Sequence, residues 1–266
     1  MTKLLTNPSK MFDVEGKVAL ITGATGAFGQ IAATTLGHAG CKLILAGGNQ
    51  EILESFTAQL NNAGCDAVAI CRRPDSEENC KAMVKLAIEQ FEKLDILVVG
   101  SGMNDVDPIQ DLSTERWQKV MDANVLGTWL ICKAAGKQMI EQGWGGKVIL
   151  VSSTRGRLGH PAGYTAYCPS KAATDGLARS LACEWGQHRI NVNAIAPTVF
   201  RSDLTAWMFS NDDPGKSTRE GMLSRIPLKR LGEPEDLAGP LLYLAAPASD
   251  FQTGQILYAD GGYTAG

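Results

Sequence analysis

The segment GYTAYCPSK, at positions 163–171, contains two tyrosines and one lysine at a spacing suited to acid–base chemistry. Tyr167 and Lys171 are four residues apart, so on a helix they lie on one face, one turn apart. Tyr164 is seven residues from Lys171, about two turns away and out of easy reach. Pro169 is compatible with a helix that begins near Tyr167, because proline is tolerated in a first turn. Such a pair alone is more often solvated than catalytic, so the surrounding elements must decide.

Short apolar runs alternate with helix-length amphipathic stretches along the chain. The runs KVALIT, KLILAG, DAVAIC, LDILVVG, GKVILVSS, RINVNAIAP and GQILYADGG predict buried strands. A long helix is predicted over 113–142 and another from about Tyr167 to Gly186, while 201–226 is the one long irregular stretch. This order predicts an α/β fold in one Rossmann domain over residues 1–266, with a doubly wound, seven-stranded parallel sheet and helices on both faces.

The composition excludes several classes of function. The net charge of the 266 residues is −3, which gives no electrostatic case for nucleic acid. No apolar run approaches the roughly 20 residues that cross a bilayer, and the N-terminus lacks a signal-peptide core. The seven scattered cysteines include no CxxC pair, which favours a cytoplasmic location. His38, His160 and His188 lack ligand-like spacing, so no metal site is expected.

A glycine-rich turn, TGATGAFG at positions 22–29, lies between the first predicted strand and the first predicted helix. Glycines in such a turn let the backbone approach a pyrophosphate, whose charge lies at the helix N-terminus. Any tight strand-to-helix turn favours glycine, so the string alone is weak evidence. Its position in the first βα unit is what indicates nucleotide binding.

Five further segments follow in order: NVLG at 124–127, SSTRG at 152–156, YCPSK at 167–171, APTVFRSDLT and TGQILYADGG. Together with TGATGAFG, in which Ala27 replaces a glycine, they resemble the motifs of the short-chain dehydrogenase/reductase family. The resemblance covers nearly the whole chain from about residue 12. It is strongest to the bacterial sugar-acid and polyol dehydrogenases and to the 3-oxoacyl reductase-like members.

The resemblance implies an NAD(P)-dependent enzyme that interconverts a secondary alcohol and a ketone. By the family's YxxxK motif, Tyr167 is the catalytic acid–base residue and Tyr164 a pocket or packing residue. Lys171 would lower the tyrosine's pKa from its free value near 10 and hold the nicotinamide ribose. Ser153 would hydrogen-bond the substrate oxygen. Asn124 would hold a water that links Lys171 to solvent.

The resemblance also implies where the cofactor binds. The residues expected to contact it, besides Tyr167 and Lys171, are Gly23, Thr25, Phe28, Gly29, Gly48, Asn49, Arg72, Arg73, Gly100, Gly102, Pro197, Val199, Phe200 and Ser202. The chain has VGSG, residues 99–102, where the family has NNAG, so a looser turn is expected there.

The end of the second strand, LAGGNQ, carries neither the acid of NAD-preferring members nor the arginine of NADP-preferring ones. Arg72 and Arg73 follow the third strand and favour a 2′-phosphate, hence NADP over NAD. Solvated arginines, or arginines stacked on adenine, are the alternative.

The segment between Ser153 and Tyr167 is one residue longer than is common in the family. Its residues Arg155, His160 and Tyr164, with Arg201 after the sixth strand, are expected to contact the substrate. A guanidinium in a closed pocket favours a polar or anionic small molecule such as a sugar acid, polyol or hydroxy acid. The alternative is that Arg155 and Arg157 point into solvent or pair with acids of a neighbouring subunit. Residues 203–226 are predicted to be a mobile lid.

Two other functions remain open at this stage. One is a 3-oxoacyl thioester reductase, although the near-balanced charge offers no basic rim for an acidic carrier protein. The other is a nucleotide-binding regulator or scaffold without turnover, which the altered NNAG and PG sites would permit. The family further implies a homotetramer.

Overall fold

A computed structural model describes residues 5–203, 205–210, 212–213 and 215–266 of the chain. Seven parallel strands form one sheet in the order β3-β2-β1-β4-β5-β6-β7. Their bounds are β1 Val18–Thr22, β2 Lys42–Gly47, β3 Asp66–Cys71, β4 Ile96–Val99, β5 Gly146–Val151, β6 Ile190–Pro197 and β7 Ile256–Ala259. The predicted doubly wound α/β fold is confirmed.

The helices cover both faces of the sheet. They are α1 Ala27–His38, α2 Gln50–Asn62, α3 Glu77–Phe91, α4 Thr114–Met121, α5 Gly127–Gln142, α6 Tyr167–Trp185, α7 Gly215–Arg225 and α8 Glu235–Ala245. Asn49, Ser76 and Ser113 cap α2, α3 and α4 by accepting a hydrogen bond from a first-turn N–H group. No helix among the described residues is both long and apolar enough to span a bilayer.

Alternate strand residues point to opposite faces and divide the core into two layers. In β1, Val18 and Leu20 pack with α3, α5 and α6, whereas Ala19 and Ile21 pack with α1, α2 and α8. All four side chains are fully buried. Two covered faces explain why the strands are continuous apolar runs rather than alternating ones.

The helix predicted over 113–142 is interrupted, because residues Asp122–Leu126 form a π-helical turn between α4 and α5. The end of this π turn packs closely against the backbone of Pro74. A Cβ atom on Gly127 would lie 2.8 Å from the carbonyl oxygen of Pro74, so only glycine passes there without displacement. Such turns inside a helix re-aim side chains and occur frequently at functional sites. Here the turn directs Asn124 into the interior, where it is 1% exposed.

The stretch 201–226, predicted as irregular, contains a short 3₁₀ helix, Ala206–Phe209, and the helix α7. Leu204, Asn211 and Pro214 of the predicted lid lie outside the described residues. Ile226, at the end of α7, packs with Leu231 and Tyr263 in a third, small apolar cluster. Met222 and Leu223 of α7 lie against it. This cluster joins the predicted lid to the C-terminal segment.

Candidate active site

The carboxyl ends of the strands open into a cleft of about 610 Å³ above β1 and β4, where the strand order reverses. In open α/β sheets, ligands bind at this switch point. The lining residues come from the turns after β1, β2, β3 and β4 and from the π turn: Gly23, Thr25, Gly26, Gly47, Gly48, Arg72, Arg73, Pro74, Asp75, Gly100, Ser101, Gly102, Met103, Lys119, Asp122, Ala123 and Leu126.

Tyr167 and Lys171 lie in the first turns of α6, as predicted; Lys171 is buried beside this cleft and Tyr167 is partly exposed. The Lys171 Nζ atom is 5.5 Å from the centroid of the Tyr167 ring. Ser153, at the end of β5, is buried and forms a hydrogen bond with the tyrosine's hydroxyl group. The structure thus brings three of the four predicted catalytic side chains to one point.

The ammonium group of Lys171 is enclosed by protein. Its Nζ atom donates a 2.7 Å hydrogen bond to the carbonyl oxygen of Val151, the last residue of β5. Burial lowers the pKa of Lys171 to about 8, and the nearby carboxylate of Asp175 opposes that shift. Lys171 therefore carries its charge at neutral pH but gives it up more readily than a solvated lysine.

The pKa of Tyr167 is raised above its ordinary value, contrary to the expectation from the sequence. Burial is the main cause, while the hydrogen bond with Ser153 and the charge of Arg155 act in the opposite direction. Burial disfavours the charged phenolate, and this exceeds the combined effect of Ser153 and Arg155. In the protein alone the phenol is therefore held protonated.

Asn124 joins the π turn to the other elements of the site. Its Oδ1 atom accepts a 2.7 Å hydrogen bond from the Met103 N–H group. Its Nδ2 atom donates to the Met103 carbonyl oxygen and to the Ser170 hydroxyl on α6, at 2.8 and 2.9 Å. Both N–H groups of the amide are committed to protein acceptors, so a relay water would have only the oxygen left to bind.

The turn after β4 is fastened by groups other than the asparagines of the family motif. The hydroxyl groups of Ser101 and Thr22 are 3.0 Å apart, and the Gly100 N–H group donates to the Thr22 carbonyl oxygen. A Cβ atom on Gly102 would lie 2.9 Å from Asn124 Oδ1. Hydrogen bonds therefore hold the turn that the sequence led us to expect to be loose.

The cleft's glycine-rich end fits a phosphate-bearing ligand. Gly23 has φ of +64°, and a Cβ atom there would meet the backbone of Ser101 at 2.6 Å. The N-terminus of α1 begins after Gly26, without a side-chain cap. Its free N–H groups are available to an anion. Gly29 packs on Gly23 and supports the turn.

Gly48, Arg72 and Arg73 meet at the far end of the cleft. The guanidinium group of Arg73 lies directly on Gly48 and fills the space that a Cβ atom would need. Arg72 donates a hydrogen bond to Asn79 on α3. No carboxylate pairs with Arg73 among the described residues, so its charge faces the cleft uncompensated.

Two predicted cofactor residues, Phe28 and Asn49, have structural roles away from the cleft. The side chain of Phe28 is buried in the core beneath α1. Asn49 is exposed, and its Oδ1 atom accepts a hydrogen bond from the Ile52 N–H group as the cap of α2. A glycine-rich motif marks the backbone path of a turn, whereas the direction of each side chain depends on packing.

The segment after β6 approaches the same glycine-rich turn from the other side. Phe200 forms a parallel bridge with Gly232, and Val199 packs in the apolar cluster around Tyr263. Ser202 lines a cavity of about 370 Å³ together with Thr25 and Gly26. Pro197 ends β6. Of these four positions, Ser202 lies in the cavity beside the N-terminus of α1, and the other three have structural contacts.

Arg155, His160 and Tyr164 form a group beside Tyr167. The rings of Tyr164 and Tyr167 meet edge to face with centroids 6.1 Å apart, and His160 lies 4.4 Å from Tyr164. Burial lowers the pKa of His160, and the charges of Arg155 and Arg225 lower it further. Arg155 donates to the carbonyl oxygen of Gly159 and to the hydroxyl of Tyr263, both neutral acceptors.

Arg201 does not join this group. Its Nε and Nη2 atoms donate to the carboxylate of Glu233 at 2.8 and 3.1 Å, and its guanidinium lies 3.9 Å from the ring of Phe209. A two-bonded arginine–carboxylate pair leaves little of the planar donor face for a substrate. The structure therefore corrects the predicted substrate contact of Arg201 to an ion pair.

Two features of the site were not predicted from the sequence. One is Arg225, whose charge acts on His160 together with that of Arg155. The other is a set of ion pairs made by Arg116, called here the Arg116 clamp, which holds the loop after β4. Arg116 on α4 pairs with Asp105 and Asp107, and the Asp107 N–H group donates to the Gly163 carbonyl oxygen. The sequence does carry a sign of this clamp, because Asp105 and Asp107 precede Arg116 of a predicted helix. Among the described residues, no group of three His, Cys, Asp or Glu side chains is placed to hold a metal ion.

Comparison with known proteins identifies the class. A family described as enoyl-(acyl carrier protein) reductase, within the short-chain dehydrogenases/reductases, matches residues 23–264. The chain belongs to the short-chain dehydrogenase/reductase family, which confirms the resemblance of its motifs. It is an NAD(P)-dependent oxidoreductase of CH–OH groups.

Several relatives cover almost the whole chain. An uncharacterized oxidoreductase of Mycobacterium tuberculosis is 56% identical, over 96% of this chain and 93% of the relative. The 2-dehydro-3-deoxy-D-gluconate 5-dehydrogenase of Dickeya dadantii is 36% identical, over 96% and 98%. The crystal structure of a gluconate 5-dehydrogenase from Burkholderia cenocepacia, in complex with NADP and tartrate, is 26% identical with a TM-score of 0.90, over 98% and 100% of the two chains.

The contacts of the two tyrosines predict different outcomes when each hydroxyl group is removed. Tyr167→Phe should abolish turnover and leave cofactor affinity nearly unchanged, because only the buried proton donor is lost. Tyr164→Phe should retain most activity. The measurement is initial rates at the nicotinamide absorbance band, with cofactor titration of each variant. An exchange of the two outcomes would show that the wrong tyrosine was assigned.

The burial of the Lys171 ammonium group predicts that this residue lowers the stability of the protein while activity requires it. The lowering of the Lys171 pKa from 10.5 to about 8 corresponds to roughly 3 kcal/mol against the charged form. Lys171→Met should therefore be inactive but unfold at a higher temperature at pH 7. Between pH 8 and 10.5 the folded state releases this proton before the unfolded state does, so wild-type stability rises relative to the variant.

Thermal unfolding at pH 7 and pH 9.5 measures this effect. Lys85→Met is the matched control, because the side chain of Lys85 is 74% exposed and should show no such gain. A Lys171→Met protein that is less stable than wild type at both pH values would contradict the prediction.

Proposed function

We propose that the protein is an NADP-dependent dehydrogenase that interconverts a hydroxyl group and a ketone on a sugar acid. The observation that carries the proposal is that the partly exposed Tyr167 lies against the buried Lys171 and Ser153 at one point. Beside them lies Arg155, which has no carboxylate partner among the described residues.

The proposed catalytic roles follow from where each atom lies. In the reducing direction Tyr167 donates its phenolic proton to the substrate oxygen, and the Ser153 hydroxyl donates a hydrogen bond to the same atom. Lys171 stabilises the phenolate that remains. Asn124 holds Met103 and the Ser170 hydroxyl in place around the ammonium. The nicotinamide cofactor, when bound, supplies or accepts the hydride.

The preference for NADP rests on the charges at the far end of the cleft. Gly47 and Gly48 provide no carboxylate to repel a 2′-phosphate. Arg73, lying on Gly48, provides a planar cation that matches phosphate geometry. Crystal structures of similar proteins, including the Burkholderia cenocepacia dehydrogenase, hold NADP, and this supports the same choice here.

The sugar-acid class rests on the relatives and on charge. Two similar proteins are named for sugar acids, 2-dehydro-3-deoxy-D-gluconate and gluconate. In this chain Arg155 acts on the pKa of Tyr167, so its charge lies within electrostatic reach of the reacting hydroxyl. A carboxylate bound there would place a neighbouring carbinol carbon near Tyr167. A 3-oxoacyl thioester offers no such anion beside the reacting carbon.

The proposal includes a lid, an assembly and a location. Residues 203–226, which contain α7, would close over the substrate. The protein would form a cytoplasmic homotetramer in which α4, α5 and α6 pack against symmetry mates. Leu126 and Trp129 expose 46% and 45% of their surface, as an interface would require. The seven cysteines, all free, fit a reducing compartment.

A substrate screen with Arg155 variants tests the function. Purified protein should oxidise aldonic acids or reduce ketoaldonic acids faster with NADP(H) than with NAD(H). Arg155→Ala should lower kcat/KM for the acid about tenfold to a hundredfold, because a charged hydrogen bond is lost. It should leave any turnover of neutral polyols little changed.

Two results would contradict this proposal. One is a wild-type enzyme that reduces acetoacetyl thioesters but no ketoaldonic acid. The other is full catalytic efficiency of Arg155→Ala on the acid. Arg157→Ala serves as the control, because Arg157 is exposed and its guanidinium lies over Tyr258 instead.

Light scattering tests the assembly. At micromolar concentration the measured mass should be four times the chain mass of 28.4 kDa. Trp129→Glu should shift the mass downward, because a charge would be buried in the interface. A monomeric wild-type protein would rule the tetramer out.

A further inference from the structure

Tyr263, near the C-terminus, is a buried ring shared by two arginines from different segments. It is 1% exposed. Arg155, after β5, donates from Nη2 to its hydroxyl oxygen at 3.2 Å, with Cζ 5.6 Å from the ring centroid. Arg225, the last residue of α7, has its Cζ atom 4.4 Å from the same centroid. The segment after β5, the predicted lid and the C-terminal segment therefore meet at the side chain of Tyr263.

The two guanidinium groups differ from three other arginines around the site, which form ion pairs. Arg116, Arg201 and Arg230 each pair with carboxylates. Arg155 and Arg225 have no carboxylate partner among the residues that the structure describes. Both charges nevertheless lower the pKa of His160, so both act on the same region.

The nearest acid of the C-terminal segment is already engaged. Asp260 accepts hydrogen bonds from the N–H groups of Gly262 and Thr264, both at 2.9 Å, and from the Thr264 hydroxyl at 2.7 Å. These bonds shape the turn that presents Tyr263. Among the described residues, no carboxylate forms an ion pair with either arginine at the ring.

The end of α7 and the C-terminal segment are packed without space between them. Cβ atoms on Gly261 and Gly262 would lie 2.8 and 2.9 Å from Ile226 and Pro227. The Leu228 N–H group donates to the Gly261 carbonyl oxygen. A displacement of Arg225 is therefore transmitted to Tyr263, and through its hydroxyl group to Arg155.

We propose that Arg225 is a specificity-determining residue, which with Arg155 binds the carboxylate of an anionic substrate and so couples its charge to the position of α7. Arg155 is the inner cation, since it also acts on Tyr167, and Arg225 is the outer one. A carboxylate neutralises both charges, whereas an uncharged polyol cannot. The inference rests on the proposed function only in taking this pocket as the substrate site.

Binding of a charged probe and its uncharged counterpart tests the assignment. The complex of full-length protein with NADP⁺ is titrated calorimetrically with D-gluconate and with D-glucitol. Wild type should prefer gluconate. Arg225→Ala should weaken gluconate binding about tenfold or more, the usual loss for a charged hydrogen bond, and leave glucitol unchanged. Arg225→Gln, which keeps the chain length, should show the same loss.

Lys216→Ala is the matched control, because it removes one charge from an exposed position of the same helix. It should leave both affinities unchanged. Limited proteolysis of 203–226 provides the readout of coupling. Gluconate should protect this segment in wild type and in Lys216→Ala, but not in Arg225→Ala.

The outcomes separate this inference from the proposed reaction. If wild type prefers gluconate but oxidises no sugar acid, the reaction fails and the anion site stands. If wild type binds gluconate and glucitol alike, the site is wrong whatever is turned over. Unchanged gluconate affinity in both Arg225 variants, or equal protection in Arg225→Ala and wild type, overturns the role of Arg225.

Discussion

A positive charge kept inside the protein, on Lys171, is the constraint that organises the site. A buried ammonium group requires a nearby hydrogen-bond acceptor, and the carbonyl oxygen of Val151 at the end of β5 provides it. This fixes α6 against β5 and places Tyr167 one turn back, at the rim of the cleft. The π turn then brings Asn124 against α6 through Ser170. Sheet, helix and π turn are arranged around one desolvated cation.

The same burial sets the resting state of Tyr167. Its pKa is raised because the loss of hydration destabilises the phenolate more than the hydrogen bond with Ser153 and the charge of Arg155 stabilise it. The protein alone therefore holds a proton donor, which is the form required to reduce a ketone. Oxidation of an alcohol requires the phenolate, and the additional positive charge must then come from the bound ligand. The protonation state of Tyr167 is thus linked to what occupies the cleft.

Buried apolar runs predicted the fold, and short-range spacing predicted that Tyr167 and Lys171 share a helix face. Ser153 and Asn124 were assigned through the resemblance of the ordered motifs to the family. Sequence patterns did not predict the π turn, since the helical period continues through Asp122–Leu126 and only the contact with Pro74 distinguishes it. The ion pair of Arg201 was not predicted, and Arg225 was overlooked, for a related reason. Whether an arginine is paired depends on which acids the tertiary fold brings near, as with Glu233.

The clamp formed by Arg116 has a consequence for attempts to re-engineer this enzyme. Arg116 lies on α4, nearly two helical turns ahead of the π segment, and it pairs with Asp105 and Asp107 of the loop after β4. Asp107 in turn contacts Gly163 of the loop before Tyr167. A loop grafted from a relative would leave the arginine without its acids and the second loop without its support. The loop after β4, α4 and the Gly163 loop form one unit of exchange and have to be transplanted together.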